Sequence, residues 1–156
     1  MNTAAAAAAA AIASHPLSVE ALLGGRKVLH AQPRTALDWV SVIRQGISST
    51  AVETLARTIR VTQAELAVAL GIPERTLARR KKEGTLNSEE SAKLVRLARV
   101  VERAEEVFGD LNASLDWLKS ANAALSGASP LSLLDTDIGA ESVMDTLGRI
   151  EHGVFA

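Results

Sequence analysis

The chain contains no cysteine in its 156 residues. That excludes disulfides, thiolate metal sites and thiol nucleophiles, and it fits a reducing cytoplasm. Aromatic residues are scarce: Trp39, Phe108, Trp117 and Phe155 are the only ones, so any core must be built mainly from aliphatic side chains. No apolar run approaches the ~20 residues that span a bilayer. The opening MNTAAAAAAAAIASHPL has no basic residue ahead of its small-residue run, which makes it a poor secretory signal and suggests a disordered tail or a frayed helix. His15, His30 and His152 stand far apart, without metal-ligand spacing. No H-E-x-x-H, G-x-S-x-G, Walker loop or dinucleotide-type glycine fingerprint is present. Asp135 and Asp137 are close enough to imitate half an acid/base pair, but as helix caps they need no further explanation. These absences argue against an enzyme and predict no catalytic residue, no metal and no cofactor.

What the chain does have is alanine and leucine, with 47% apolar residues and no alternating strand pattern, so an all-α fold is expected. The net charge of −1 conceals a separation. Arg57 to Arg103 carries 11 basic and 6 acidic residues, whereas Ala104 to Ala156 carries 2 basic and 9 acidic. Two surfaces of opposite sign suggest two different partners.

Residues 1–34, with poly-alanine, Gly24, Gly25 and Pro33, read as a disordered or weakly helical leader. From Thr35, Leu37, Trp39, Val40 and Ile43 recur at helical spacing up to Gly46. A second helix follows on Val52, Leu55, Ala56 and Ile59. Thr62–Glu65 is a capping box that starts a helix ending at Gly71. Pro73 opens the next helix, which stops at Gly84. Asn87–Glu90 is another capping box and starts the longest helix, whose inward stripe runs from Leu94 to Phe108. A short helix capped by Asp110 or Asn112, a loop, a turn opened by Pro130 and a last helix over Gly139–Ile150 complete the chain. The spacing predicts a helix-turn-helix domain over 35–103 and a small helical domain over 104–156.

The helix-turn-helix reading rests on steric demands. Ala67 lets the second helix cross close to the first, Gly71 tolerates φ > 0, and Leu66, Leu70, Ile72 and Leu77 pin the pair. The second helix of such a module lies in the major groove. Arg75, Arg79 and Lys82, at i, i+4 and i+7, form one line away from Leu77. An arginine fork suits guanine, while Lys81 and Lys82 suit phosphates. The candidate DNA-contacting set is Thr62, Glu74, Arg75, Thr76, Arg79, Arg80, Lys81 and Lys82. Arg80 departs from the motif, because an apolar residue is more usual three positions after Leu77.

Further along, several features occur in order: Glu90–Ser91 with Arg96 and Arg99, A-x-x-V-F from Ala104 to Phe108, and Trp117–Leu118. Gly127, Pro130–Leu131, Leu133–Leu134, Thr136, Gly139 and Gly153 continue them. As a set this resembles the Xre/MbcA/ParS-type antitoxins of bacterial toxin–antitoxin operons over about Leu55 to Phe155. The resemblance implies a cytoplasmic, dimeric bacterial protein whose helix-turn-helix binds double-stranded DNA of its own promoter. It also implies that the C-terminal domain binds a RES-domain toxin, an enzyme that consumes NAD⁺ or transfers ADP-ribose from it. The toxin-facing candidates are Trp117, Pro130, Thr136, Gly139, Arg149, His152, Gly153 and Phe155. From the residues alone, Trp117 is either a core anchor or a contact, and the tail around Phe155 either packs back or enters a partner. Two other readings compete: a free-standing regulator whose C-terminal domain dimerises it or senses a ligand, and an interaction protein that has lost DNA binding.

Overall fold

A computed structural model describes residues 17–153. Among them the helices are α1 (Val19–Leu22), α2 (Arg26–Leu29), α3 (Ala36–Gln45), α4 (Thr50–Ile59) and α5 (Gln63–Leu70). They continue with α6 (Glu74–Glu83), α7 (Ser88–Phe108), α8 (Leu111–Lys119) and α9 (Asp137–Glu151), and two 3₁₀ turns at Ala123–Leu125 and Pro130–Leu133 separate the last two. The described residues form no strand; a single antiparallel bridge joins Ser48 and Thr85. The all-α expectation holds.

Local chemistry explains most of the boundaries. Thr35/Asp38, Thr62/Glu65 and Asn87/Glu90 each form a reciprocal capping box, which satisfies donors that a helix start leaves open. Asp110 caps α8 by accepting the Ala113 N–H at 2.9 Å. Thr136 caps α9, so that helix begins at Asp137, two residues before Gly139.

The 21-residue α7 is the axis of the fold. Leu94, Leu97, Ala98, Val101 and Ala104 are at most 1% exposed, as the stripe predicts, although Phe108 at its end is only half-buried. α1, α3, α5, α8 and α9 all pack against α7. One apolar cluster runs from Val19 to Leu147. A boundary at 103/104 therefore cuts through a helix that both halves share.

The N-terminal expectation needs correction where the structure describes it. Residues 17–34 form α1 and α2, and Leu22 and Leu23 are 1% and 0% exposed. Two carboxylates of α7 hold this segment: Glu102 accepts the Val19 N–H at 2.8 Å and Glu105 the Leu17 N–H at 3.1 Å. The reason is tertiary, since the four-residue α1 is too short to persist alone. Residues 1–16, with the poly-alanine run and His15, lie outside the described residues. α3 also departs from expectation. Its buried residue is Val42, while Leu37 is 77% exposed and Val40 36%.

Candidate nucleic-acid interface and C-terminal surface

α5 and α6 form the expected helix-turn-helix. Leu66, Ala67, Leu70, Ile72 and Leu77 are all at most 5% exposed, so each predicted pin is in place. Gly71 adopts φ +67°, the left-handed turn that glycine permits at least cost. A Cβ there would lie 3.2 Å from the Cβ and the carbonyl oxygen of Asp135, so the C-terminal segment packs directly on the turn.

α6 carries its cations outward. Leu77 is its only buried residue, and Glu74, Arg75, Arg79, Lys81 and Lys82 are exposed. Arg75 and Lys82 make no ion pair among the described residues, and Arg79 makes a loose one with Glu83 at 3.6 Å. Thr76 is half-buried. Thr62 is exposed, but its hydroxyl oxygen accepts the Glu65 N–H at 3.1 Å as the cap of α5. Two candidates are engaged elsewhere. Lys81 pairs with Glu53 of α4 at 2.9 Å. Arg80 turns away from the cationic row: its Nε donates to Glu90 Oε1 and its guanidinium to Glu83 Oε2, both at 2.8 Å. With its side chain 20% exposed, Arg80 braces α6 on the start of α7. An ion pair thus takes the place of the usual apolar pin.

These placements separate two kinds of loss. Lys82→Ala is expected to lower the salt slope of DNA binding by ~0.9, as for one released counterion. Arg80→Ala is expected to weaken binding by misplacing α6 while leaving that slope unchanged. Fluorescence anisotropy across a salt series distinguishes them, and a slope lowered equally by both would place Arg80 on the phosphates.

Glu90 is 7% exposed. Burial alone raises its carboxyl, but the Arg80 guanidinium and the Asn87 N–H outweigh it and hold the group below its ordinary 4.5. A depressed folded-state value contributes stability above the unfolded value and loses it as pH falls through the folded one. The wild type should therefore lose more stability than Glu90→Gln on acidification below about pH 4.5. Urea unfolding of both proteins between pH 6 and 3 measures this.

The toxin-facing candidates that the structure describes divide between packing and exposed positions. Pro130 is buried, with its 3₁₀ turn against α8, and so is structural. Thr136 accepts the Gly139 N–H at 2.9 Å as the cap of α9. A Cβ at Gly139 would lie 1.8 Å from the Leu133 carbonyl oxygen, so this glycine serves close packing. Trp117 is half-buried, its ring 5.7 Å from that of Phe108 at 44°. Arg149 is exposed beside a cleft of about 350 Å³ with Ser142 and Asp145. His152 and Gly153 are exposed at the end of α9, and Phe155 lies outside the described residues. The last turn is anchored: the Arg103 guanidinium grips Glu151 at 2.7 and 3.1 Å and holds its carboxyl below the usual range.

The contacts that tie the two halves together were less visible from spacing. The Arg96 guanidinium reaches Asp137 and, at 2.9 Å, the Leu134 carbonyl. Lys119 donates to the Arg60 carbonyl at 2.9 Å, and within the N-terminal half Lys93 donates to that of Gly71 at 3.3 Å. For Arg96 the signal was the ordered motif set. For the two lysines, whose acceptors are backbone carbonyls distant in sequence, there was none. Ile138, on the first turn of α9, is 78% exposed, and Asp137, Glu141 and Asp145 are exposed on the same helix.

Comparison with known proteins assigns both halves. A family described as "Antitoxin Xre-like helix-turn-helix domain" matches residues 38–99. One described as "Antitoxin Xre/MbcA/ParS C-terminal toxin-binding domain" matches residues 103–153. The chain is 37% identical over 119 residues to "Antitoxin Xre" of Yersinia enterocolitica, covering 75% of this chain and 80% of that protein. "Antitoxin Xre" of Photorhabdus laumondii is 31% identical over 118 residues, covering 74% and 80%. The "Prs ADP-ribosylating antitoxin" of a Sphingobium species is 25% identical over 130 residues, covering 77% and 82%. With a helix-turn-helix whose pins, turn and outward cations are in place, joined to a matching toxin-binding domain, this chain belongs to the Xre family of antitoxins.

Proposed function

We propose that the chain neutralises a RES-domain toxin that consumes NAD⁺ or transfers ADP-ribose from it, and that it represses its own operon as a homodimer on promoter DNA. The observation that carries this reading is the pairing of two chemically opposite surfaces on one framework: the cationic row of α6 and the acidic outer face of α9. A cleft that binds the phosphates of a dinucleotide is electropositive, and the α9 face with exposed Ile138 suits it in charge and in apolar contact. The Sphingobium relative carries ADP-ribosylation in its name, which agrees with such chemistry. In this reading the protein works in the bacterial cytoplasm, on double-stranded DNA. Among the described residues no helix is long and apolar enough to cross a membrane.

The test is promoter binding by the purified chain together with growth rescue when it is co-expressed with the RES-domain protein of its operon. Absence of salt-dependent binding to its upstream DNA would remove the repressor half. Absence of rescue would leave a free-standing regulator. The tail enters the same assay. Ending the chain at Glu151 keeps the Arg103 anchor and is expected to preserve helicity and promoter binding while weakening rescue, since burying Phe155 in a partner contributes ~1.5–3 kcal/mol. Undiminished rescue would shift inhibition to the exposed faces of α8 and α9.

A further inference from the structure

A lone exposed valine is ordinary on a protein surface, but Val68 of α5, 66% exposed, stands at a groove. This groove of about 210 Å³ lies on the seam between the two matched domains. α5 supplies Glu65, Val68 and Ala69 to one wall. Ser129 and the 3₁₀ turn that follows it supply the other, through Leu131 and Ser132. Neither half forms the groove alone. Its walls are held together where α5 meets that turn and where Asp135 packs on Gly71. The volume is below the ~300–1,000 Å³ of a small-molecule site, so the groove fits one side chain of a protein partner better than a free ligand.

Two observations point to the occupant. Half of the lining lies in the segment matched as toxin-binding, and the same segment runs on through Asp135 into the α9 face with exposed Ile138. No basic residue lines the groove, while Glu65 stands in its wall and Asp135 and Asp137 are exposed just after the turn. Acids around an apolar floor suit an electropositive toxin. We propose that the toxin also seats on the helix-turn-helix half, placing an apolar side chain in this groove against Val68. The contact crosses the domain seam, whereas the family match confines toxin binding to residues 103–153. It rests on the reading of a RES-domain toxin as the partner.

Titration calorimetry of the full chain with the RES-domain protein of its operon tests it. Val68→Lys removes the apolar contact and sets a cation against an electropositive partner. It should raise the dissociation constant at least about tenfold, the loss of one buried valine. Lysine has the higher helix propensity at an exposed position, so circular dichroism should be unchanged. Ser132→Lys, on the opposite wall, should weaken toxin binding in the same direction. Promoter binding should survive both substitutions, since neither residue is a pin of the helix-turn-helix or a member of the cationic row. Added toxin should also slow amide exchange in α5 and at residues 129–132. Toxin affinity indifferent to both substitutions overturns the contact and leaves the RES-domain reading in place. A wild type that does not bind the toxin overturns that reading and the contact with it. A change in the sedimentation of the free chain on Val68→Lys would give the groove to a second copy. Faster amide exchange in α5 of the free chain on removing residues 1–16 would give it to the chain's own N-terminus. Either result overturns the proposal.

Discussion

The variant Arg75→Ala/Arg79→Ala/Lys82→Ala is expected to lose specific promoter binding and to keep toxin neutralisation. An arginine that takes both acceptors of a guanine contributes ~1–3 kcal/mol of discrimination. Each phosphate contact removed lowers the salt slope by ~0.9. Loss of all three cations should therefore reduce affinity by at least about a hundredfold at physiological salt, as two contacts worth ~1.4 kcal/mol each already do. The substituted side chains are exposed, and none of them holds α6 in place. Leu77 and the Arg80–Glu90 pair do that, so the fold should survive. Insulation from the toxin-binding domain has a structural basis too. It is α5 and its turn, through Gly71 and Asp135, that lean on the C-terminal half. Promoter binding and growth rescue by a preparation with wild-type circular dichroism decide the matter. Loss of rescue by the folded variant would mean that the toxin also contacts α6.

Ending the chain at Thr136 is expected to unfold the whole protein, well beyond its C-terminal third. α9 contributes Val143 and Leu147, both 0% exposed, and Ala140 at 5%. It buries them mainly against α7. Removing two fully buried aliphatic side chains forfeits ~1.5–3 kcal/mol each, and the apolar face of α7 that they cover becomes exposed as well. The total is comparable with the ~5–15 kcal/mol that holds a domain of this size together. Because α7 also carries α1, α3 and α5, the loss spreads into the helix-turn-helix. The expected result is a collapse of helical circular dichroism together with promoter binding. If the truncated chain still melts cooperatively and binds DNA, the two halves fold independently and the shared core is less important than its burial indicates.

That second expectation shows where sequence reading reached its limit. The charge division at residue 103/104 and the two matched domains suggest separable units, yet the residues of α7 on either side of that point belong to one stripe in one cluster. A change of composition marks a change of surface chemistry. It carries no information on whether the cores beneath are joined.

Helix limits were legible because their causes are local. A capping box closes within four residues, as at Thr62–Glu65 and Asn87–Glu90, and Gly71, Gly84 and Gly109 end helices through their own φ of +67°, +89° and +71°. The pins of the helix-turn-helix were legible for the same reason, since spacing within two consecutive helices dictates which side chains meet. Partners distant in the chain were not. Arg80 reads as one more member of a basic run until Glu90 of another helix takes its guanidinium. Leu22 and Leu23 read as part of a leader until Glu102 and Glu105, more than eighty positions away, take the first N–H groups of that segment. Gly139 reads as a contact residue until the Leu133 carbonyl occupies the space of its missing Cβ. The sequence by itself therefore determined the helices, the motif and the two signs of charge. Only the tertiary structure decided which α6 cations stay exposed without a close ion pair among the described residues, which residues around α9 serve packing, and that one core supports both halves, because those outcomes depend on long-range partners that compete with solvent for the same groups.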